Sequence, residues 1–192
     1  MPEDNSSQPK DANLVAQEVA AAVEAAGCDY ALGGAIALAY WAEPRGTVDV
    51  DVTLFIPQEQ RSHCIRLLQN MGCTMDADEA AQSLAEHGFC QVEFGGRRLD
   101  VFLPTIPFYE QARLRRRQVV LGGRPVMVWD AETLCVFKMM FFRRKDLADV
   151  EQVLREQAGQ FDAEWVLQQV TEMYGPRDPR VSQWKELIQE SR

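Results

Sequence analysis

The sequence predicts an α+β protein, a mixed β-sheet flanked by helices and followed by a C-terminal helical region. Three observations carry that prediction. Residues 47–56 (TVDVDVTLFI) are β-branched, alternate in polarity and then turn wholly apolar, as a strand entering a core does. Two later apolar stretches each fold about a diglycine, Gly95-Gly96 and Gly122-Gly123, which is a hairpin signal. From Asp130 onward the strand pattern stops and helical periodicity takes over. With 192 residues, 46% of them hydrophobic, the chain can bury a sizeable core in one domain with a helical appendage.

Taken in order, residues 1–11 are polar, rich in Ser, Pro, Asn and acidic groups, and read as a disordered tail. Val15, Val19 and Val23 recur at four-residue spacing among alanines, predicting a helix over 12–26 that Gly27 ends. A short strand at 29–32 leads into Gly33-Gly34 and an alanine-rich buried helix at 35–41, broken by Pro44-Arg45-Gly46. After the 47–56 strand, Pro57 intervenes. A helix at 58–70 turns Ile65, Leu67 and Leu68 inward, and a weaker one follows at 77–86. The hairpins pair 89–94 with 97–103 and 118–121 with 125–129, and a helix at 107–116 opened by Pro107 lies between them. Asp130 is a natural N-cap for a helix at 131–143, with further helices at 146–157, 164–174 and 181–189. The expected division is a tail (1–11), an α/β core (12–129) and a helical region (130–192).

Composition excludes several classes. A net charge of −9 argues against a surface wholly given to nucleic acid, though not against a local basic patch. Basic residues cluster at Arg97-Arg98, at Arg113 with Arg115, Arg116 and Arg117, and at Arg143-Arg144-Lys145, each read first as a solvated face. No apolar run approaches a membrane span and no secretory signal opens the chain, so a cytoplasmic protein is expected. Five cysteines without a CxxC pair make a zinc site or disulfide framework improbable. His63 and His87 have no partners in the sequence that suggest a nucleophilic triad.

The chemistry concentrates in Gly33-Gly34 and Arg45-Gly-Thr47-Val-Asp49-Val-Asp51. Side chains on a strand alternate, so Asp49, Asp51 and Thr53 share one face and Val50, Val52 and Leu54 the other. Two like charges so close need a neutralising partner, and hard carboxylate oxygens suit Mg²⁺ or Mn²⁺. Asp100 interrupts a second apolar strand (RLDVFL) and can join the first two if the strands are neighbours. Three carboxylates could then hold two metal ions and a triphosphate. Gly33-Gly34, between a strand and a helix, lets backbone approach a phosphate. Lys138 falls within the apolar stripe of Leu134, Phe137, Phe141 and Phe142, so it needs an anionic partner or an aqueous cleft. Lys145, seven residues on, would follow the same face.

Gly33-Gly34 followed by Asp49-Val50-Asp51 and later Asp100 resembles the nucleotidyltransferase superfamily, with its polymerase-β-like fold. Within it, LGGAIALAYW and RGTVDVDVTLF are similar to the AbiEii/MenA-type and related small nucleotidyltransferases, and FKMMFFRRKDLADV looks like the helix and KDxxD element of those families. The resemblance spans roughly residues 28–155. It implies that Asp49, Asp51 and Asp100 are catalytic and bind Mg²⁺ or Mn²⁺, with Asp100 as the base or its orienter. It also implies that Gly33, Gly34, Arg45, Thr47, Lys138, Lys145 and Asp146 serve nucleotide binding, with Asp149 completing the KDxxD pair. Gly34 stands where many members have Ser, so a phosphate-binding hydroxyl is missing. The implied reaction moves a nucleoside monophosphate from an NTP to an acceptor. That acceptor is an RNA 3′ end such as that of a tRNA, a protein hydroxyl, or a small molecule such as an antibiotic. The chain could also be the toxin of a toxin–antitoxin pair, with a cognate antitoxin as partner. The alternative is an inactive nucleotide-binding or partner-binding module of the same fold.

Overall fold

The computed structural model describes residues 9–191, so most of the expected tail lies outside the described residues. Its last two positions are held. The Lys10 N–H donates to Gly95 O at 3.0 Å, the Lys10 ammonium pairs with Glu18 at 2.7 Å, and Asp11 accepts from the Asn13 N–H at 2.8 Å.

Two compact units emerge. One runs to Ile36 and resumes over Gly46–Val128; the other joins Ala37–Arg45 to the chain from Trp129 onward. The segment 37–45, expected in the α/β core, therefore belongs with the helices. Trp41 ties it there, its indole N–H donating to Trp129 O at 2.7 Å and its carbonyl accepting from Gln157 at 2.9 Å.

The α/β unit contains α1 (Ala12–Ala25), β1 (Tyr30–Leu32), the start of α2 (Gly34–Leu38), β2 (Asp49–Leu54), a 3₁₀ turn, α3 (Arg61–Asn70), α4 (Ala77–His87), β3 (Phe89–Phe94), β4 (Arg97–Phe102), α5 (Phe108–Arg115), β5 (Arg117–Leu121) and β6 (Arg124–Val128). The six strands form one mixed sheet in the order β3-β4-β2-β1-β6-β5. β2 runs parallel to β4 and β1 parallel to β6, while the β1–β2, β3–β4 and β5–β6 pairs are antiparallel. α1 packs on β1, β2 and β6, and its Val15, Val19 and Val23 are fully buried, as their spacing predicts. Each such valine contributes about 1.5–3 kcal/mol relative to an exposed one. The face of β2 and β4 carrying Val50, Val52, Leu99 and Val101 lies in the core, which leaves the aspartate face turned the other way.

In the helical unit α6 (Ala131–Phe141) is central, touching α7 (Arg144–Glu156), α8 (Ala163–Tyr174) and α9 (Pro179–Glu190). Asp130 caps α6 by accepting from the Thr133 N–H at 2.9 Å. The helix ends two residues before the sequence predicts. Phe142 takes a left-handed conformation (φ 54°), and its N–H closes on Lys138 O at 2.9 Å. Arg180 holds that end, its Nε donating to Met139 O at 3.0 Å and its guanidinium lying 5.1 Å from the Phe142 ring centre and 4.3 Å from that of Tyr174. Among the described residues, no helix is long and apolar enough to cross a membrane.

Candidate active site

The three aspartates come together through strand register. β2 and β4 are adjacent, and Asp51 is the direct register partner of Asp100. Asp49, two residues before Asp51, lies opposite Arg98 on the same face. Arg98 is the residue that sequence reading placed only in a surface cluster. Its position two residues before Asp100 on a strand was the signal that it shares the aspartates' face.

Arg98 neutralises part of this charge. Its guanidinium pairs with Asp49 Oδ2, and its Nε lies 3.2 Å from Asp100 Oδ1. The arginine side chain is 48% exposed, against 24% for Asp49 and 13% for Asp100, so the cation sits on the solvent side of the carboxylates.

The diglycine is built around Asp51. The Gly33 N–H donates to Asp51 O at 2.9 Å and is therefore committed to the backbone rather than turned to a ligand. Gly34 has φ +51°, and a Cβ there would fall 1.8 Å from Asp51 Oδ2. Only glycine lets the Asp51 carboxylate lie against this turn. Thr47 braces the entry to β2, its hydroxyl donating to Asp49 O at 2.9 Å and accepting from the Asp49 N–H at 3.3 Å.

Among the described residues, no group of three or more His, Cys, Asp or Glu side chains is arranged to hold a metal ion as it stands. The donor set nevertheless suits a hard divalent cation. It consists of carboxylate oxygens on two hydrogen-bonded strands, two of them already gathered about one positive group, Arg98.

The remaining expected residues lie in the helical unit and form an ion cluster of their own. Lys138 is 6% exposed and pairs with Asp149, with Asp146 at 3.5 Å. Asp149 also receives both arms of Arg45, Nε and Nη2 each at 2.9 Å. Asp146, fully buried, accepts from Arg143 Nε at 2.7 Å and from the Arg143 N–H at 3.2 Å. Burial pushes Asp149 upward, but the hydrogen bonds from Arg45 and Lys138 outweigh it and hold the carboxyl below the usual carboxylate range. The anionic partners that Lys138 has are thus the KDxxD aspartates. Lys145 does not continue its face, because the break at Phe142 puts it on the exposed first turn of a separate helix.

Arg113 and Arg116 of the arginine cluster are also engaged. Arg113 pairs with Asp29, and Arg116 donates to Tyr30 O at 2.7 Å, both guanidinia lying near the Phe55 ring. The cysteines are free thiols, and burial pushes Cys64 up to about 12 and Cys90 up to about 11, which makes them poor nucleophiles.

The fold is that of the nucleotidyltransferases. The solution structure of the antibiotic-resistance factor ANT(2'')-Ia superposes with a TM-score of 0.59 at 15% identity, covering 93% of this chain and 95% of that one. A crystal structure of ANT(2'')-Ia in complex with adenylyl-2''-tobramycin gives 0.58 at 17% identity, covering 86% and 97%. The lincosamide antibiotic adenylyltransferase LnuA, lincomycin-bound, gives 0.54 at 11% identity, covering 76% and 96%. No protein-family model and no curated protein sequence matches the chain.

Proposed function

We propose that the chain is a metal-dependent nucleotidyltransferase that moves a nucleoside monophosphate from an NTP to a hydroxyl of a small polar acceptor. The observation that carries this reading is the register of Asp51 with Asp100, with Asp49 on the same face and Gly34 packed beneath Asp51. The diglycine turn and Arg45-Gly46-Thr47 support the AbiEii/MenA type within that class.

Asp49, Asp51 and Asp100 would hold Mg²⁺ or Mn²⁺, which when bound polarises the transferred phosphoryl group and offsets the charge of the triphosphate. Asp100 accepts the proton of the acceptor hydroxyl. As that oxygen bonds to the α-phosphorus, the bond from the α-phosphorus to the α,β-bridging oxygen breaks and pyrophosphate leaves. Thr47 fixes the backbone of Asp49, and the diglycine fixes Asp51, so the carboxylates meet the substrate already oriented.

Two observations favour a small acceptor over RNA. The chain carries a net charge of −9, which repels a polyanion and attracts a cationic polyol. Arg113 and Arg116, which would have suited RNA phosphates, are engaged with Asp29 and the Tyr30 carbonyl. The solved structures of similar fold include one in complex with adenylyl-2''-tobramycin and one bound to lincomycin, which supports the same choice.

The test is a transfer screen of the full chain with each of four labelled NTPs, Mg²⁺, and separate pools of aminoglycosides, lincosamides, tRNA and protein. Label on a small molecule, lost in Asp51→Asn, is the expected result. Label on tRNA or protein overturns the choice of acceptor. No transfer together with no Mg²⁺-dependent NTP binding overturns the reading and favours the inactive module.

A further inference from the structure

Arg98 has a carboxylate on either side. Its register partner on β2 is Asp49, and its register partner on β3 is Glu93, which places Asp49, Arg98 and Glu93 in one row across three strands on one face of the sheet. The next row is Asp51, Asp100 and Gln91. Among the described residues the ion pairs of Arg98 run to Asp49 and Asp100. Glu93 is exposed, its backbone held by paired bonds with Thr74, N–H to O at 3.0 Å and O to N–H at 2.8 Å.

This row has an electrostatic consequence. The two carboxylates of this row and those of Asp51 and Asp100 in the next repel one another, and Arg98 offsets part of that repulsion. A divalent cation seeking the same oxygens of Asp49 and Asp100 meets a guanidinium already on them, and the two positive charges exclude each other at contact distance. The pair with Asp49 is half exposed and correspondingly weak, so rotation about the arginine side chain is enough to free the oxygens. Glu93 supplies a second anion on the far side, within reach of the same long side chain.

We propose that Arg98 is a displaceable counter-cation of the carboxylate site. It occupies Asp49 and Asp100 while no metal is bound and turns to Glu93 when a divalent ion enters. The inference rests on the metal-dependent reading of the site and adds to it a residue that sets the threshold for metal entry.

The test is a titration of the metal-free full-length protein with Mn²⁺ alone, read by the loss of free Mn²⁺ signal in electron paramagnetic resonance. Wild type, Arg98→Gln, Glu93→Gln and the double variant are compared at one ionic strength. Arg98→Gln is expected to bind Mn²⁺ several-fold more tightly, because the competing cation is gone. Glu93→Gln is expected to bind severalfold less tightly, because Arg98 loses its second partner. In the double variant the Glu93→Gln effect should shrink to a small residue, since Glu93 acts through Arg98. Unaltered Mn²⁺ affinity in Arg98→Gln, or a Glu93→Gln effect of equal size with and without Arg98, overturns the counter-cation role. Those results leave the transferase reading standing. Absence of Mn²⁺ binding in every protein, with or without ATP, overturns both. A melting curve for each variant in metal-free buffer separates loss of fold from loss of binding.

Discussion

Two clusters of aspartates differ in where their counter-charges sit. In the helical unit, Asp146 and Asp149 are buried and meet three cations, Lys138, Arg45 and Arg143. In the α/β unit, Asp49 and Asp100 pair with Arg98, and that arginine is half exposed. A buried cluster with its charges compensated and its lone pairs hydrogen-bonded is a structural joint, because removing any partner strands a charge in a medium that cannot solvate it. A cluster whose counter-cation is half exposed can exchange that cation for another positive ligand at little cost. The resemblance assigns Asp49, Asp51 and Asp100 to catalysis and metal binding, Asp146 to nucleotide binding and Asp149 to the KDxxD pair; the burial of their counter-charges sets the two clusters apart.

The largest contrast is expected in activity. Asp51→Asn or Asp49→Asn should lower nucleotidyl transfer by roughly 10³-fold, the scale on which an oriented charge-stabilising group acts. Stability should hold or rise slightly, since a repulsive carboxylate is gone. Rate assays and thermal melts on the same preparations measure both. A variant that melts early would place these aspartates with the structural cluster and erase the contrast.

Asp149→Ala should do the reverse. It leaves Lys138 and Arg45 without their shared carboxylate and should cost about 3–5 kcal/mol in denaturant unfolding. Lys138→Met, which replaces the buried ammonium by an apolar group of similar length, should cost less than Lys138→Ala, because it keeps the packing of α6. If Asp149→Ala folds with full stability but fails to bind NTP, the KDxxD element belongs to the nucleotide site after all.

How much of this was legible in the sequence follows from the range of the forces involved. The strands and helices were readable because valine spacing, diglycine turns and the Asp130 cap act within a few residues. The meeting of Asp51 with Asp100 was readable as a condition, since an aspartate inside an apolar strand names its face but not its neighbour. The ion cluster was only half visible. Lys138 could be seen to need an anion, yet that Asp149 and Arg45 supply the other charges depends on how α6, α7 and the 37–45 segment pack. Arg98 could have been found by counting back two residues from Asp100. It was passed over because Arg97-Arg98 reads as a solvated pair.

Gly34→Ala probes how tightly the α/β cluster is held. The new Cβ would fall 1.8 Å from Asp51 Oδ2 at a backbone φ of +51°. Overpacking and strain of this kind cost about 1–3 kcal/mol. The carboxylate must move, so transfer should fall by far more than the stability loss accounts for. Equal activity in Gly34→Ala would mean that Asp51 need not sit against the turn.

The smallest effect is in pH dependence, and it distinguishes buried from exposed ion pairs. Asp149 and Asp29 are both held below the ordinary carboxylate value of 3.8, the first by hydrogen bonds from Arg45 and Lys138 against burial, the second chiefly by a hydrogen bond from Arg113. A carboxyl that is more acidic folded than unfolded binds the proton less readily when folded. Its stabilising contribution is therefore complete above that ordinary value and is lost as pH falls through the lowered folded value. Melts of Asp149→Asn and Asp29→Asn against wild type should show a gap at neutral pH that closes on acidification below about 4. The gap for Asp29 should stay within about 1 kcal/mol, since its side chain is 45% exposed and water screens its pair with Arg113. The gap for Asp149, 5% exposed, should be several times wider. Equal gaps would mean that burial does not govern the worth of these pairs, and the distinction between joint and site would lose its physical basis.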